Sequence, residues 1–158
     1  MPNIASEVGE GMSLLTFGPN ASRDFRSLAS FLFACMGEVV EIEESFMDIG
    51  TGMSGSGPGF VFRLIEAMAQ AGVEQGLPYD KALKMAAQTF LGAARLIVKG
   101  ALPKELVHQI ATPNGTTEAG FKMMAETHIE SHFKAVIAAS AHRSREISDM
   151  LEKNPLSR

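Results

Sequence analysis

The sequence contains no tryptophan, one tyrosine and one cysteine, and each shortage narrows what the chain can be. The single cysteine, Cys35, excludes an internal disulfide, and its apolar neighbours favour a buried core thiol over a reactive one. Because aromatic residues make up only 7%, the core has to consist mainly of aliphatic side chains, alanine, methionine and phenylalanine. With 158 residues and 46% hydrophobic composition, the chain can still bury a core without disulfides or metals.

Dense clusters of lysine and arginine are also absent, and the formal net charge is −4, which argues against a nucleic-acid-binding surface. The longest apolar runs are too short to span a membrane, and the N-terminus lacks the layout of a signal peptide. We therefore expect a cytoplasmic chain that binds neither nucleic acid nor membranes. No G-x-G-x-x-G motif follows a predicted strand, so the sequence has no dinucleotide phosphate loop of its own.

Residues 1–43 predict a strand, a helix and a second strand. The first strand covers residues 12–17, Ser22 caps the helix, Gly37 ends it, and the second strand covers residues 39–42. Two strands do not make a stable sheet alone, so this region has the pattern of the end of a larger sheet.

From residue 44 onward the apolar period is helical. A short helix over 44–51 is followed by a glycine- and serine-rich break at 52–58, and the last residues, 154–158, are expected to fray. Further helices are predicted over 59–75, 79–99, 103–110, from the 112–117 loop to about 127, and 128–153.

Small residues on two of these helices predict close packing of helix axes. They are Ala67, Ala69, Ala71, Gly72, Ala82, Ala86, Ala87, Gly92, Ala93 and Ala94. The contact is either within one chain or between two, and we favour an extended surface between chains.

Two glycine-containing segments precede helices and could bind an anion through open backbone N–H groups. In residues 54–58, S-G-S-G-P, a packing or turn role is favoured over ligand binding. In residues 112–117, T-P-N-G-T-T, a small carboxylate site and two ordinary helix caps explain the residues equally well. His128 and His132 are four residues apart, which favours a solvated helix face over half of a metal site, so no metal is expected.

Taken in order, the motifs resemble those of pyrroline-5-carboxylate reductases. Residues 54–62, S-G-S-G-P-G-F-V-F, are similar to the family's S-G-S-G-P-A-Y-V-F. Residues 71–78 match A-G-V-x-x-G-L-P, and residues 86–94 match A-A-Q-T-x-x-G-A-A. Residues 112–117 resemble S-P-G-G-T-T, and residues 1–3 resemble an internal M-P-N. The likeness covers nearly the whole chain at family spacing.

The resemblance implies a mainly α fold. Residues 44–158 would be an all-helical dimerisation and substrate-binding domain, like the C-terminal domain of 6-phosphogluconate dehydrogenase, and residues 1–43 the remnant of an NAD(P)-binding Rossmann domain. Family members form homodimers, and some assemble further into rings. They reduce 1-pyrroline-5-carboxylate to L-proline with NADPH or NADH. This chain would be the C-terminal part of such an enzyme, binding no cofactor and inactive alone.

Carried over by position, the resemblance implies that the 112–117 loop binds the substrate. Asn114, Gly115, Thr116 and Thr117 would hold the carboxylate, and the catalytic Thr117 hydroxyl would lie near the ring nitrogen. Asn114 replaces a usual glycine, and asparagine tolerates the left-handed backbone better than most residues.

The resemblance also implies a cofactor-side set of residues. Pro2 and Asn3 would contact the cofactor, with Asn3 a catalytic residue near the reacting face of the nicotinamide. Ser54 and Ser56 either border the site or only pack. Ile4 and Ala5 stand where the family has a threonine and a proline, and the turn over residues 100–102 lacks the acidic residue that the family often has. These departures leave a divergent cyclic-imine reductase open as an alternative, and a non-catalytic dimerisation module is a second one.

Overall fold

The computed structural model describes residues 1–153, which divide into two compact units. The mixed unit contains Met1–Phe60 and the chain from Phe133 onward, and the helical unit contains Val61–His132. The predicted domain boundary between residues 43 and 44 does not coincide with the boundaries of these two units, and it stays a prediction. The predicted fraying of 154–158 concerns residues outside the described part.

The mixed unit begins with the predicted strand, helix and strand. Strand β1 (Gly11–Leu15) pairs in parallel with β2 (Gly37–Glu41), and helix α1 (Arg23–Ala34) connects them. Ser22 caps α1 as predicted, because its hydroxyl accepts a hydrogen bond from the Phe25 N–H at 3.2 Å. Gly37 begins β2 instead of ending the helix.

The edge of β1 opposite β2 carries the first residue of the chain. Leu14 donates its N–H to the Met1 carbonyl at 2.9 Å, and the Leu14 carbonyl accepts from the Met1 amino group at 2.6 Å. Leu14 and Leu15 are buried and supply the apolar core of this region. Cys35 is exposed, so the prediction of a buried thiol is wrong: Cys35 lies at the C-cap of α1, a helix that has no buried residue.

The predicted glycine–serine break at 52–58 is also wrong. A 3₁₀ turn (Glu44–Phe46) leads into helix α2 (Met47–Gly50). A π-helical turn (Thr51–Gly55), called the π-turn below, continues α2 toward α3 (Gly57–Glu74). Ser56 between them has helical φ and ψ, and its N–H bonds to the Thr51 carbonyl at 2.8 Å. The segment is therefore a widened helical turn and not an open helix end.

From Phe133 onward, helix α7 (Ile129–Lys153) belongs to the mixed unit and packs on α2 and this turn. The Ser144 hydroxyl donates to Asp48 at 2.8 Å, and Ser140 donates to Ser56 at 3.0 Å. At Gly52 a Cβ atom would lie 2.9 Å from the Ile137 carbonyl oxygen, so only glycine allows this approach of the two backbones.

The helical unit is built on a hairpin of α3 and α4 (Tyr79–Val98). Ala69, Ala82 and Ala86 are buried at its centre. The small residues predicted to meet between chains thus meet within one chain at these positions, because short side chains allow α3 and α4 to approach closely.

A polar contact closes the hairpin near its turn. Gln70 and the Tyr79 hydroxyl donate to the two oxygens of Glu66, at 2.7 and 2.8 Å. The bonds from Gln70 and Tyr79 lower the pKa of Glu66, and the bond to Glu66 raises the pKa of the Tyr79 phenol. The contact ties the middle of α3 to the start of α4.

Helices α5 (Pro103–Ile110) and α6 (Thr116–Glu126) complete the helical unit and match the predicted spans within a residue or two. No helix within residues 1–153 combines the length and apolar character that crossing a membrane requires.

His128 lies between α6 and α7 with φ of +52° and is not part of a helix. Its carbonyl accepts the His132 N–H at 3.0 Å, so it caps the start of α7. The predicted helix over 128–153 therefore begins one residue later, and His128 precedes the helix that carries His132. Both histidines are exposed, as expected for a solvated surface.

The left-handed backbone of His128 gives a stability prediction. Replacing His128 by glycine should raise the free energy of unfolding by roughly 0.5–1 kcal/mol, because glycine avoids the steric cost of positive φ but loses more chain entropy. His128→Asn should fall between the two. Denaturant unfolding measures the change, and a less stable glycine variant would contradict it.

Candidate functional site

The 112–117 loop forms a tight turn followed by the N-terminus of α6. The Gly115 N–H donates to the Thr112 carbonyl at 2.9 Å, which closes a four-residue turn. Asn114 occupies its third position with φ of +58°, and Pro113 the second. Proline followed by a residue with positive φ is the pattern of a type II turn. The turn therefore requires a residue such as asparagine or glycine at position 114, as expected from the sequence.

Gly115 is the N-cap of α6 and has no space for a side chain. A Cβ atom there would collide with the Thr112 hydroxyl, and it would lie 2.9 Å from the Thr112 carbonyl oxygen. The Gly115 carbonyl accepts the Ala119 N–H at 3.2 Å, which starts the helical hydrogen bonds.

The first turn of α6 leaves backbone donors free. Within residues 1–153, the N–H groups of Thr116, Thr117 and Glu118 have no acceptor in the protein. They point out of the N-terminal end of the helix, where the helix dipole favours negative charge. The Thr117 side chain is half-buried beside them, and Thr116 is exposed. This arrangement can bind a carboxylate.

One carboxylate of the chain already lies at the turn. Glu118 folds back, and its Oε2 atom accepts the Asn114 N–H at 2.5 Å. Beside it, a depression of about 610 Å³ is lined by the turn and by the first two turns of α6. Its lining residues are Asn114, Gly115, Glu118, Ala119, Phe121 and Lys122. Thr116 and Thr117 do not line it.

Sequence reasoning missed Glu118 and Lys122. Glu118 brings negative charge to the mouth of the depression, and Lys122, one helical turn further, offers a cation for an acidic ligand. Their spacing of four residues on a predicted helix would have placed them on one face.

Asn3 lies in the mixed unit, and its side chain is occupied by protein contacts. Its Oδ1 atom accepts the N–H groups of Ala5 at 3.2 Å and Met12 at 3.3 Å. Its Nδ2 atom donates to the Ser54 carbonyl at 3.0 Å. Pro2 is exposed.

The two serines of the predicted site border also make internal contacts. The Ser54 hydroxyl donates to the Gly50 carbonyl at 3.0 Å, and the Ser56 hydroxyl accepts from Ser140. The structure thus brings Asn3 and Ser54 together in the mixed unit, whereas residues 114–117 form their own cluster in the helical unit.

A comparison with known protein families shows which family the chain is similar to. A family model described as pyrroline-5-carboxylate reductase dimerisation matches residues 44–147.

The chain belongs to this family.

Relatives in distant organisms carry the same name. A pyrroline-5-carboxylate reductase of Bacillus spizizenii is 40% identical over 99% of this chain and 54% of its own length. One of Arabidopsis thaliana is 38% identical over 94% of this chain and 54% of its own length. The chain therefore spans about half the length of the curated pyrroline-5-carboxylate reductases it matches.

Solved pyrroline-5-carboxylate reductases share the fold. The enzyme of Coxiella burnetii aligns with a TM-score of 0.88 and 29% identity, covering 92% of this chain and 55% of that chain. The Plasmodium falciparum enzyme, whose crystal structure has NADP bound, aligns with a TM-score of 0.87 and 28% identity over 92% of this chain and 60% of that chain. The predicted mainly α fold is confirmed.

Position 114 tests the geometry of the turn. Asn114→Gly should leave the free energy of unfolding within about 0.5 kcal/mol, whereas Asn114→Val should lower it by about 1–2 kcal/mol, because a β-branched residue resists positive φ. The matched control is Asn20→Val at an exposed loop position with ordinary φ. Chemical unfolding of the variants measures the difference, and equal stability of the valine and glycine variants at 114 would refute the turn.

Proposed function

We propose that this chain is the substrate-binding and dimer-forming part of a pyrroline-5-carboxylate reductase, which reduces 1-pyrroline-5-carboxylate to L-proline in proline biosynthesis. The observation that carries the proposal is the group of free backbone N–H donors at Thr116, Thr117 and Glu118. They follow a tight turn in which Gly115 has no room for a side chain. The substrate has a carboxylate on a five-membered ring, and these donors suit that carboxylate.

The reaction transfers a hydride to the carbon of the C=N bond and a proton to its nitrogen. The reduced nicotinamide, NADPH or NADH, supplies the hydride when bound. The backbone N–H groups of α6 fix the substrate by its carboxylate, and the Thr117 hydroxyl lies on the side of the ring nitrogen. The chain contributes orientation and charge complementarity, since a fixed carboxylate limits how the ring can turn.

The residues of this chain do not fit the phosphates of a dinucleotide. The sequence has no glycine-rich phosphate loop between strand and helix, and the connection from β1 to α1 is Thr16-Phe-Gly-Pro-Asn-Ala-Ser22. Cofactor binding in the proposed enzyme therefore needs the part of the relatives that this chain does not span. The chain alone should bind no cofactor and show no turnover, and its cytoplasmic location also stays a prediction.

One observation favours a second candidate, a non-catalytic dimerisation module. The Glu118 carboxylate already accepts an N–H group of the turn and would repel an incoming carboxylate. In that case the turn is a self-capped connection between helices, and the depression beside it stays without a ligand.

Calorimetry with L-proline and prolinamide separates the two candidates. We expect L-proline to bind and prolinamide, which lacks the carboxylate, to bind at least tenfold more weakly, because a hydrogen bond to a charged group contributes about 1.5–3 kcal/mol. Thr117→Ala should weaken L-proline binding by about 1 kcal/mol if its hydroxyl contacts the ring nitrogen.

Thr127→Ala is the matched control, because its hydroxyl lies at the other end of α6 and bonds only to backbone carbonyls. It should leave binding unchanged. Equal binding of L-proline and prolinamide, or none of either, would support the dimerisation module and reject substrate binding by this chain.

The apolar surface of the helical unit supports a homodimer in the proposed enzyme. Its centre buries three alanines, and many larger side chains stay in contact with solvent. Large apolar side chains exposed in this number are typical of a surface that a partner covers. The exposed set on α3 to α6 includes Phe62, Met68, Met85, Leu91, Leu96, Ile97, Val107, Ile110, Met123 and Met124. Assembly into rings of dimers stays a prediction from the family resemblance.

Sedimentation velocity tests the dimer. Leu96 is 50% exposed on α4, and Leu96→Asp should shift the chain toward monomer, raising the dimer dissociation constant at least tenfold, because a carboxylate would be buried in an apolar contact. Lys84→Asp, an exposed charged position on the same helix, is the control and should leave the dimer intact. A monomeric unaltered chain at micromolar concentration would contradict the proposal.

A further inference from the structure

Pro58, which follows the π-turn, leaves the Ser54 carbonyl without its usual helical partner. The chain keeps helical φ and ψ through Ser56, so a regular helix would pair the Ser54 carbonyl with the N–H of residue 58. Residue 58 is proline, which has no N–H, and its ring crowds the carbonyl four residues earlier. Ser54 lies in a part-buried position, where an unpaired carbonyl is costly.

The missing donor comes from a side chain far away in sequence. Asn3 Nδ2 donates to the Ser54 carbonyl at 3.0 Å across a separation of 51 residues. The same carboxamide accepts the N–H groups of Ala5 and Met12 through Oδ1. One side chain thus joins the 3₁₀ turn after it (Ile4–Val8), strand β1 and the π-turn.

We propose that Asn3 is a positioning residue that supplies the hydrogen-bond donor Pro58 lacks and so fixes the π-turn against strand β1. Asn3 and Pro58 then act as a pair, since the proline leaves a carbonyl unpaired and the carboxamide pairs it. In the proposed reductase, Asn3 holds the segment carrying Ser54 and Ser56 in place, and its carboxamide is held by three protein contacts. These contacts lie within the mixed unit and do not depend on whether the chain binds a cyclic acid.

A simple capping role is the alternative to this pairing. Asn3 caps the 3₁₀ turn through Oδ1 alone, and any substitution that removes Oδ1 would destabilise the chain for that reason. Asn3→Asp separates the two roles, because the aspartate keeps an acceptor oxygen and nearly the same shape but loses the N–H donor. Its negative charge also faces the Ser54 carbonyl and is repelled by it. A second background is therefore needed to isolate the bond to Ser54.

A double-mutant cycle with Pro58→Ala tests the pairing. In the unaltered background, Asn3→Asp should raise the equilibrium constant of unfolding about fivefold or more, as expected for one lost hydrogen bond. In the Pro58→Ala background the alanine N–H can bond to the Ser54 carbonyl. The same substitution should then raise that constant at least about twofold less than in the unaltered background, because repulsion by the aspartate is common to both and cancels in the cycle.

Pro103→Ala is the matched control. Pro103 is at the start of α5, where a helix has no acceptor for its N–H, so a proline there leaves no carbonyl unpaired. The effects of Asn3→Asp and Pro103→Ala should add. Additive effects in the Pro58 cycle, or equal coupling in both cycles, would overturn the proposal.

The unaltered chain gives a measurement that does not depend on variants folding. The side-chain NH₂ protons of Asn3 should exchange with solvent at least tenfold more slowly than those of Asn20, which is exposed in the loop before α1. A scalar coupling across the hydrogen bond to the Ser54 carbonyl carbon would identify the acceptor. Exchange of Asn3 as fast as that of Asn20 would rule out the contact.

Discussion

The helical unit is organised by how closely two helices can approach. Ala69 on α3 meets Ala82 and Ala86 on α4, and at Gly72 an added Cβ atom would already lie 3.2 Å from Ala82. Short side chains bring the helix axes together, but they bury little apolar area. The larger apolar side chains are displaced to the outer faces of the hairpin and of α5 and α6. A unit packed in this way has little core of its own, which fits a family described by its dimerisation.

Local signals along the chain predicted most helix boundaries correctly. Ser22, Pro103 and Gly115 each act within one helical turn of their own position. The helix start that each one favours can therefore be predicted from neighbouring residues. The π-turn was predicted as a break, because glycine and serine disfavour helix in isolation and the stabilising contact comes from Asn3, far away in sequence. The burial of Cys35 was predicted wrongly for a related reason. Apolar neighbours along the chain do not show whether the rest of the fold covers α1.

The candidate site shows the same limit. The turn at Asn114 follows from proline, asparagine and glycine at fixed spacing and was expected. The helix after it was also expected, but it begins at Thr116, two residues earlier than the predicted start at Glu118. The sequence did not reveal that Glu118 turns back to accept the Asn114 N–H, because that depends on a side-chain rotamer. Nor did it reveal that the Asn3 carboxamide is already engaged, because all three of its partners are set by tertiary folding.

The donors at the start of α6 are main-chain groups, and this has a consequence for how the family can diverge. Substitutions in the loop change side chains, but none except proline removes an amide hydrogen. Mutational drift can therefore replace glycine by asparagine at position 114 while the amides keep their direction, provided that the backbone retains its turn. In the proposed enzyme, specificity can evolve in the surrounding side chains while the amide donors offered to a carboxylate are inherited unchanged.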